Sequence, residues 1–124
     1  MSNSFVIILH TGFGADHYDF MLETGPALAT WQIARNCLDL RDGESAPARK
    51  LPDHRLAYLT YQGPVSGGRG KVRRVCEGVF ETLIDDSHRL VVRLDAPDGP
   101  ARFELLRDTS AGDDWVITRR PIHS

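Results

Sequence analysis

Short apolar segments with the periodicity of β-strands recur along this chain, and turns containing glycine and proline separate them. The first covers 5–9, and apolar and polar side chains alternate through 17–23. Residues 34–53 break the pattern and are predicted to be mostly loop, whereas further strands are predicted at 27–33, 56–61, 71–76, 79–84, 89–94, 102–106 and 115–118. Many short strands at nearly regular spacing are typical of a sandwich or a barrel, and a barrel leaves no exposed strand edges. We expect an all-β, mainly antiparallel fold: a small closed or partly closed β-barrel with at most one or two short helices, near 35–41 or 45–50.

The size of the chain predicts one domain over residues 1–124, because 124 residues can build one modest core and not two. Hydrophobic residues make up 41% and charged residues 26%, which is typical of a globular protein. No apolar run approaches the roughly 18 residues of a membrane span, and the N-terminus lacks the basic start of a signal peptide. We therefore expect a cytoplasmic protein that does not contact a membrane and is a monomer. Two distant cysteines, Cys37 and Cys76, form no CxxC motif and are given no chemistry.

Positive charge is concentrated in the middle of the chain although the formal net charge is −2. Between residues 49 and 74 the only acidic residue is Asp53, whereas the basic residues are Arg49, Lys50, Arg55, Arg69, Lys71, Arg73 and Arg74. This asymmetry permits a local anion-binding face, and a simple solvated surface is the alternative. The glycine-rich run 63–70 lacks the spacing of a P-loop and is predicted to be a flexible loop.

Two histidines and an aspartate form the first candidate site. His17 and Asp19 are two residues apart on a predicted strand, so their side chains share a face about 7 Å apart at the backbone. His10 ends the preceding strand, and pairing of the two strands would bring it beside His17. Two imidazoles and a carboxylate suit manganese, zinc or iron, with open positions for water or substrate. Taken alone, the pattern also fits ordinary surface or hydrogen-bonded histidines.

A second candidate site combines His54 and Tyr58, which share a face if residues 53–58 are extended. An imidazole and a phenol could donate hydrogen bonds to an anionic oxygen, and the imidazole could act as a general acid. The alternative is structural, with the aromatic side chain half-buried in the barrel wall and His54 capping the strand.

Taken in order, these residues resemble the 3′-phosphoesterase domain of bacterial DNA ligase D. The similarity extends over roughly residues 5–120, and the matching residues are His10, His17-Tyr18-Asp19-Phe20, Leu22-Glu23, Trp31, Asp53-His54, Leu56, Tyr58, Tyr61-Gln62-Gly63 and the closing segment 115–119. The resemblance implies a β-barrel that trims 3′ ends. Members of this family remove a 3′-terminal ribonucleoside and then the remaining 3′-phosphate, using manganese or a similar divalent ion.

The resemblance also implies a role for each candidate residue. His10, His17 and Asp19 would hold the metal, manganese first with zinc or cobalt as alternatives, and His54 and Tyr58 would act on the scissile phosphate. The expected partner is the 3′ end of a nucleic acid or a smaller phosphoester, with a repair protein as a possible further partner.

Two departures from the family pattern bear on activity. The family has an arginine where this chain has Met21, and a thioether cannot clamp a phosphate as a guanidinium does. The loop 11–16 also lacks the family's histidine and basic residue. Arg55, Arg69 and Lys50 are therefore predicted as replacement phosphate-binding residues. The alternatives are a non-catalytic metal- or phosphate-binding module that docks nucleic-acid ends or a repair partner, and a scaffold whose site has decayed.

Overall fold

A computed structural model describes residues 3–108 and 112–122, which form one antiparallel sheet closed into a barrel. Its strands are β1 (Ser4–Thr11), β2 (His17–Glu23), β3 (Ala27–Ile33), β4 (Ser45–Arg55), β5 (Gly63–Pro64), β6 (Lys71–Asp85), β7 (Arg89–Ala96), β8 (Gly99–Arg107) and β9 (Asp114–Arg120). The order is β1-β2-β3-β4-β9-β8-β7-β6, and pairing of β1 with β6 closes the barrel, so that within the described residues only the two-residue β5 stands outside the ring. The predicted all-β barrel is confirmed.

The longest strand, β6, pairs with β1 through its first half and with β7 through its second half. The sequence predicted two strands here, and that prediction was wrong because Gly78 is part of the strand and not a break. A Cβ at Gly78 would lie 2.4 Å from the Asp95 carbonyl oxygen and 2.9 Å from Cε1 of Phe5. The glycine therefore lets β6 pass from one neighbour to the other without a clash.

Strand β4 is also shared, between β9 and β3, and it occupies residues that the sequence predicted as a loop. The prolines at 47 and 52 suggested irregular backbone, but Ala46 and Ala48 alternate into the barrel core as strand residues do. The predicted strand at 56–61 was wrong as well. Its first residues form a 3₁₀ turn, Leu56–Leu59.

Helical structure is limited to single 3₁₀ turns in the part of the chain that is described: Cys37–Asp39, Leu56–Leu59 and Ser66–Gly68. The first lies inside the predicted helical region 35–41, and the Asn36 side chain caps it by accepting a hydrogen bond from the Leu38 amide. The second predicted helical region, 45–50, belongs to β4. Across residues 3–108 and 112–122 no helix has the length and apolarity needed to cross a membrane.

The strands bury side chains on both faces near the candidate site. The barrel interior holds the larger apolar cluster, which includes Phe20, Trp31 and Phe103. A second, smaller cluster lies on the opposite face of the strands and consists of Val6, Ile8, Met21, Leu28 and Val72. Tyr58, Leu59 and Val65 pack onto it from residues 56–70, which we call the cover segment. This segment places the candidate site outside the barrel and beneath a short cover.

One buried carboxylate, Glu104 on β8, gives the barrel a pH-dependent stability. Its two oxygens accept hydrogen bonds from Nε of Arg89 at 2.7 Å and from a terminal nitrogen of Arg120 at 2.8 Å. Burial raises the pKa of the Glu104 carboxyl, but the hydrogen bonds from Arg120 and Arg89 outweigh it and hold the pKa below its ordinary value. The ionised carboxylate therefore stabilises the fold above the unfolded-state pKa, and this stability is lost as pH falls through the folded-state pKa.

We expect Glu104→Gln to lower the free energy of unfolding by about 1 to 2 kcal/mol at pH 7, because one arginine then faces an amide NH₂ that cannot accept a hydrogen bond and the other keeps only a neutral acceptor. Urea denaturation of both proteins at pH 7 and near pH 3 tests this. The difference should shrink at the lower pH, because the stability contributed by a carboxyl with a lowered folded-state pKa is lost progressively below its unfolded-state pKa. An equal difference at both pH values would show that the charge is not responsible.

Candidate metal centre

The three predicted metal ligands converge at the β1–β2 hairpin. His10 and His17 are register partners, and their ring centroids lie 4.8 Å apart. Asp19 shares the face of His17, with 3.4 Å between Nε2 of His17 and Oδ1 of Asp19. One ligand atom from each residue lies within 4.8 Å of the other two. The side chains therefore already stand close enough for one ion to contact all three.

Asp19 is the buried member of this cluster, with only 3% of its surface exposed. Its Oδ1 has no hydrogen-bond partner. Burial raises the pKa of the Asp19 carboxyl, and the imidazoles of His17, His54 and His10 partly offset that shift. A buried carboxylate oxygen without a hydrogen bond is costly, and a bound cation would remove this cost.

The histidines are oriented by the backbone in a way that suits metal binding. A carbonyl oxygen can only accept, so a ring nitrogen bonded to one carries the proton and leaves the other nitrogen of a neutral ring with a free lone pair. Metal-binding histidines commonly show this arrangement. Three rings donate in this way: His10 Nε2 to the Arg69 carbonyl at 2.6 Å, His17 Nδ1 to that of Ala15 at 3.1 Å, and His54 Nδ1 to that of Pro52 at 3.0 Å. Two imidazoles and one carboxylate thus fit a divalent cation and leave coordination positions open.

His54 and Tyr58 meet as predicted, although the backbone between them is not extended. His54 lies on β4 and Tyr58 in the 3₁₀ turn that follows. Their ring centroids are 5.6 Å apart at an interplanar angle of 67°. Tyr58 also packs edge-on against Tyr61, at 5.9 Å between centroids. The turn therefore folds the phenol back towards the imidazole.

A cavity of about 170 Å³ unites the two candidate sites. It is lined by His10, Phe13, Asp19, Met21, His54, Tyr58, Val65, Arg69 and Val72. His17 does not line this cavity but borders a separate, larger groove. A ligand in this cavity could therefore contact His10 and Asp19 of the candidate metal site together with His54 and Tyr58.

Comparison with curated proteins finds the same relative in two mycobacterial species. A "Multifunctional non-homologous end joining protein LigD" from Mycobacterium bovis and a "Multifunctional non-homologous end joining DNA repair protein LigD" from Mycobacterium tuberculosis are each 32% identical to the chain over 124 residues. The match covers 94% of this chain. The chain is a homologue of a segment of LigD. It spans 16% of the length of these relatives, and no protein-family model matches it.

The three cationic residues predicted to help bind phosphate lie at different places relative to the cavity. Arg69 lines the cavity, where Nε donates to the Ser66 carbonyl at 2.8 Å. Arg55 borders a neighbouring pocket that shares Tyr58 with the cavity. Lys50 does not line the cavity: its ammonium lies over the Trp31 ring at 5.2 Å from the centroid. The structure thus brings Arg69, and less directly Arg55, to the site of this LigD homologue, but not Lys50.

Two features of the site were missed by sequence reasoning. Phe13 lines the cavity, although the loop that carries it was judged only by its missing charge. The carbonyl of Arg69 orients His10, and Gly70 allows this contact because a Cβ there would lie 2.1 Å from the Thr11 carbonyl oxygen. The glycine-rich run 63–70 was the available signal, and it marks a close backbone approach.

Proposed function

We propose that this LigD homologue is a divalent-metal-dependent phosphoesterase that processes 3′ ends of nucleic acid in DNA repair. The convergence of His10, His17 and Asp19 on one point beside His54 and Tyr58 carries the proposal. Homology to the end-joining protein LigD supports a role in DNA repair. The repair setting and the nucleic-acid substrate belong to this proposal, as does the choice of manganese before zinc or cobalt.

The metal would be held by one nitrogen of His10, one of His17 and the carboxylate of Asp19. When bound there, it supplies Lewis-acid stabilisation of phosphoryl charge. The protein's own contribution is orientation. The carbonyls of Arg69 and Ala15 fix the two imidazoles, and burial keeps the Asp19 oxygens away from bulk water.

His54 and Tyr58 would act on the phosphoester itself. In hydrolysis of a 3′-phosphate, water attacks phosphorus and the bond between phosphorus and the sugar oxygen breaks. A protonated His54 can deliver its proton to that leaving oxygen, and the Tyr58 hydroxyl can donate a hydrogen bond to a phosphoryl oxygen that gains charge. Free phosphate and a 3′-hydroxyl are the products, so the reaction needs no redox partner.

A cavity of about 170 Å³ matches a terminal phosphate better than a whole nucleotide. For scale, a cavity of roughly 150 Å³ in another protein accommodates benzene. The space beside Asp19, His54 and Tyr58 thus suits a phosphoryl group and a metal ion, with the nucleoside left outside. This geometry favours processing of an end over cleavage within a strand.

The test is a manganese-dependent end-processing assay on a primer-template that carries either a 3′-phosphate or one 3′-terminal ribonucleotide. The His17→Ala protein is the blank, and its fold is checked by circular dichroism. Turnover that requires manganese and is lost in the variant would support the proposal. Equal turnover in both proteins would contradict it, because His17 is then not needed.

A second candidate function, a binding module without catalysis, is favoured by Met21. The buried thioether of Met21 lines the cavity, at the position where the family that this sequence resembles has an arginine. The guanidinium of Arg69 is already hydrogen-bonded to Ser66. This alternative predicts that the protein binds manganese and a 3′-phosphorylated end, but removes neither the 3′-phosphate nor the 3′-terminal ribonucleotide. Calorimetric titration with manganese, run beside the assay, distinguishes the two functions.

A further inference from the structure

Phe13 is an exposed aromatic side chain at the rim of the metal cavity. It lies in the loop between β1 and β2, and 53% of its surface is in solvent. Single exposed apolar residues are normal on protein surfaces. Phe13, however, also lines the cavity that contains His10 and Asp19, so its ring stands where a ligand would enter.

Core packing does not explain why a phenylalanine occupies this position. Phe13 belongs to neither apolar cluster formed by the described residues. Its neighbours Gly12 and Gly14 have φ angles of +81° and +69°, conformations that favour glycine. These two glycines shape a loop that holds the phenylalanine outward.

The Phe13 ring lies against the imidazole of His10 in a nearly parallel arrangement. The centroids are 6.3 Å apart and the interplanar angle is 19°. His10 is in turn fixed by its hydrogen bond to the Arg69 carbonyl. The position of Phe13 relative to the metal cluster is therefore set by a contact with a metal-binding residue.

In the proposed function the phosphate occupies the cavity of about 170 Å³, and the nucleoside of a bound 3′-phosphate lies outside it. The base must then lie along the rim, where the loop 11–16 offers no positive charge. What this loop does offer is one aromatic side chain, Phe13, with about half of its surface exposed. Bases stack on aromatic side chains regardless of sequence, because every base has a π-face.

We propose that Phe13 is a stacking platform for the base of the terminal nucleotide whose phosphate occupies the cavity. This inference rests on the proposed function for the phosphate position. It adds the way in which the terminal base is held, so that an end carrying a base binds more tightly than an abasic end or a simple phosphoester. Phe13 binds the substrate outside the reacting atoms. Stacking of the base on Phe13 replaces part of the binding affinity that charged residues in this loop would otherwise provide.

The test compares two labelled oligonucleotides that end in a 3′-phosphonate, whose carbon–phosphorus bond resists hydrolysis. One carries a purine on its last sugar, and the other an abasic last sugar. Dissociation constants are measured by fluorescence anisotropy with manganese for the original protein and for Phe13→Ala, Phe13→Leu and Phe13→Trp. Val79→Ala is the matched control, because Val79 is 50% exposed on β6 and does not line the cavity.

We expect the original protein, Phe13→Trp and Val79→Ala to prefer the purine end by about tenfold, and Phe13→Ala and Phe13→Leu to lose the preference. A preference that persists in Phe13→Ala, or that is absent from the original protein, would overturn the stacking role. Failure to bind either oligonucleotide would overturn it as well. The comparison is independent of turnover, so loss of stacking with intact end processing leaves the phosphoesterase proposal standing.

Discussion

Replacement of Asp19 with asparagine is expected to reduce manganese-dependent turnover by at least about a hundredfold while leaving the metal-free protein at least as stable as the original. The amide keeps the shape of the side chain but cannot supply a charged oxygen to the ion. Because Asp19 is 3% exposed and its Oδ1 has no hydrogen bond, the original residue is a poor choice for stability alone. Activity and stability should therefore respond in opposite directions.

The sign of the stability effect follows from the environment of the carboxyl. Burial raises the pKa of Asp19, which means that the folded state disfavours the ionised form relative to the unfolded chain. Asparagine removes that cost, and its amide can donate to Nε2 of His17, which lies 3.4 Å from Oδ1 in the original. Binding of manganese to the folded state should raise the melting temperature of the original protein, since a ligand that binds only the native state stabilises it.

Thermal denaturation with and without manganese measures both effects. We expect a manganese-dependent rise in melting temperature for the original protein and little or none for Asp19→Asn. Asp16→Asn is the control, because Asp16 is exposed in the adjacent loop and is outside the three-residue cluster. The idea that Asp19 is a metal ligand would be wrong if both variants retained the same rise.

The positions of the candidate metal ligands His10, His17 and Asp19 could be predicted, because they depend on the local structure of a single hairpin. A strand period of two places His17 and Asp19 on one face, and a short loop joins their strand to β1, which has His10 near its end. The two strands were expected to bring His10 beside His17 if they paired, and the observed register places these two residues opposite each other. The position of these three residues therefore depends mainly on neighbouring segments, whereas the orientation of His10 also depends on the distant Arg69 carbonyl.

The rest of the site depends on contacts between distant segments, which a single sequence does not specify. His54 approaches Asp19 because β4 pairs with β3, and the prolines of β4 concealed that strand. Tyr58 approaches His54 through a 3₁₀ turn. The sequence predicted a strand there because the tyrosines and the threonine of segment 56–61 favour strands. Lys50 was predicted near the phosphate from charge alone, yet the Trp31 ring and the Asp53 carboxylate hold its ammonium elsewhere.

Gly70 is the strongest case in which a distant backbone contact decides the site, and Gly70→Ala is expected to be severely destabilising. The residue has a φ of +76°, and its Cβ would lie 2.1 Å from the Thr11 carbonyl oxygen and 2.9 Å from the carbonyl carbon of Gly12. Both atoms belong to the backbone, so no side-chain rotation can relieve the overlap. We expect a loss of at least about 3 kcal/mol in the free energy of unfolding, measured by urea denaturation.

The Gly68→Ala variant separates the cost of the left-handed backbone conformation from the cost of steric overlap. Gly68 has a similar φ of +68°, but a Cβ there would meet nothing within 4 Å. Its cost should therefore be only the strain of alanine in a left-handed conformation, about 1 kcal/mol. A similar loss in both variants would show that the approach of the cover segment to Thr11 is not tight. A larger loss in Gly70→Ala, accompanied by weaker manganese binding, would show that this approach holds the Arg69 carbonyl against His10.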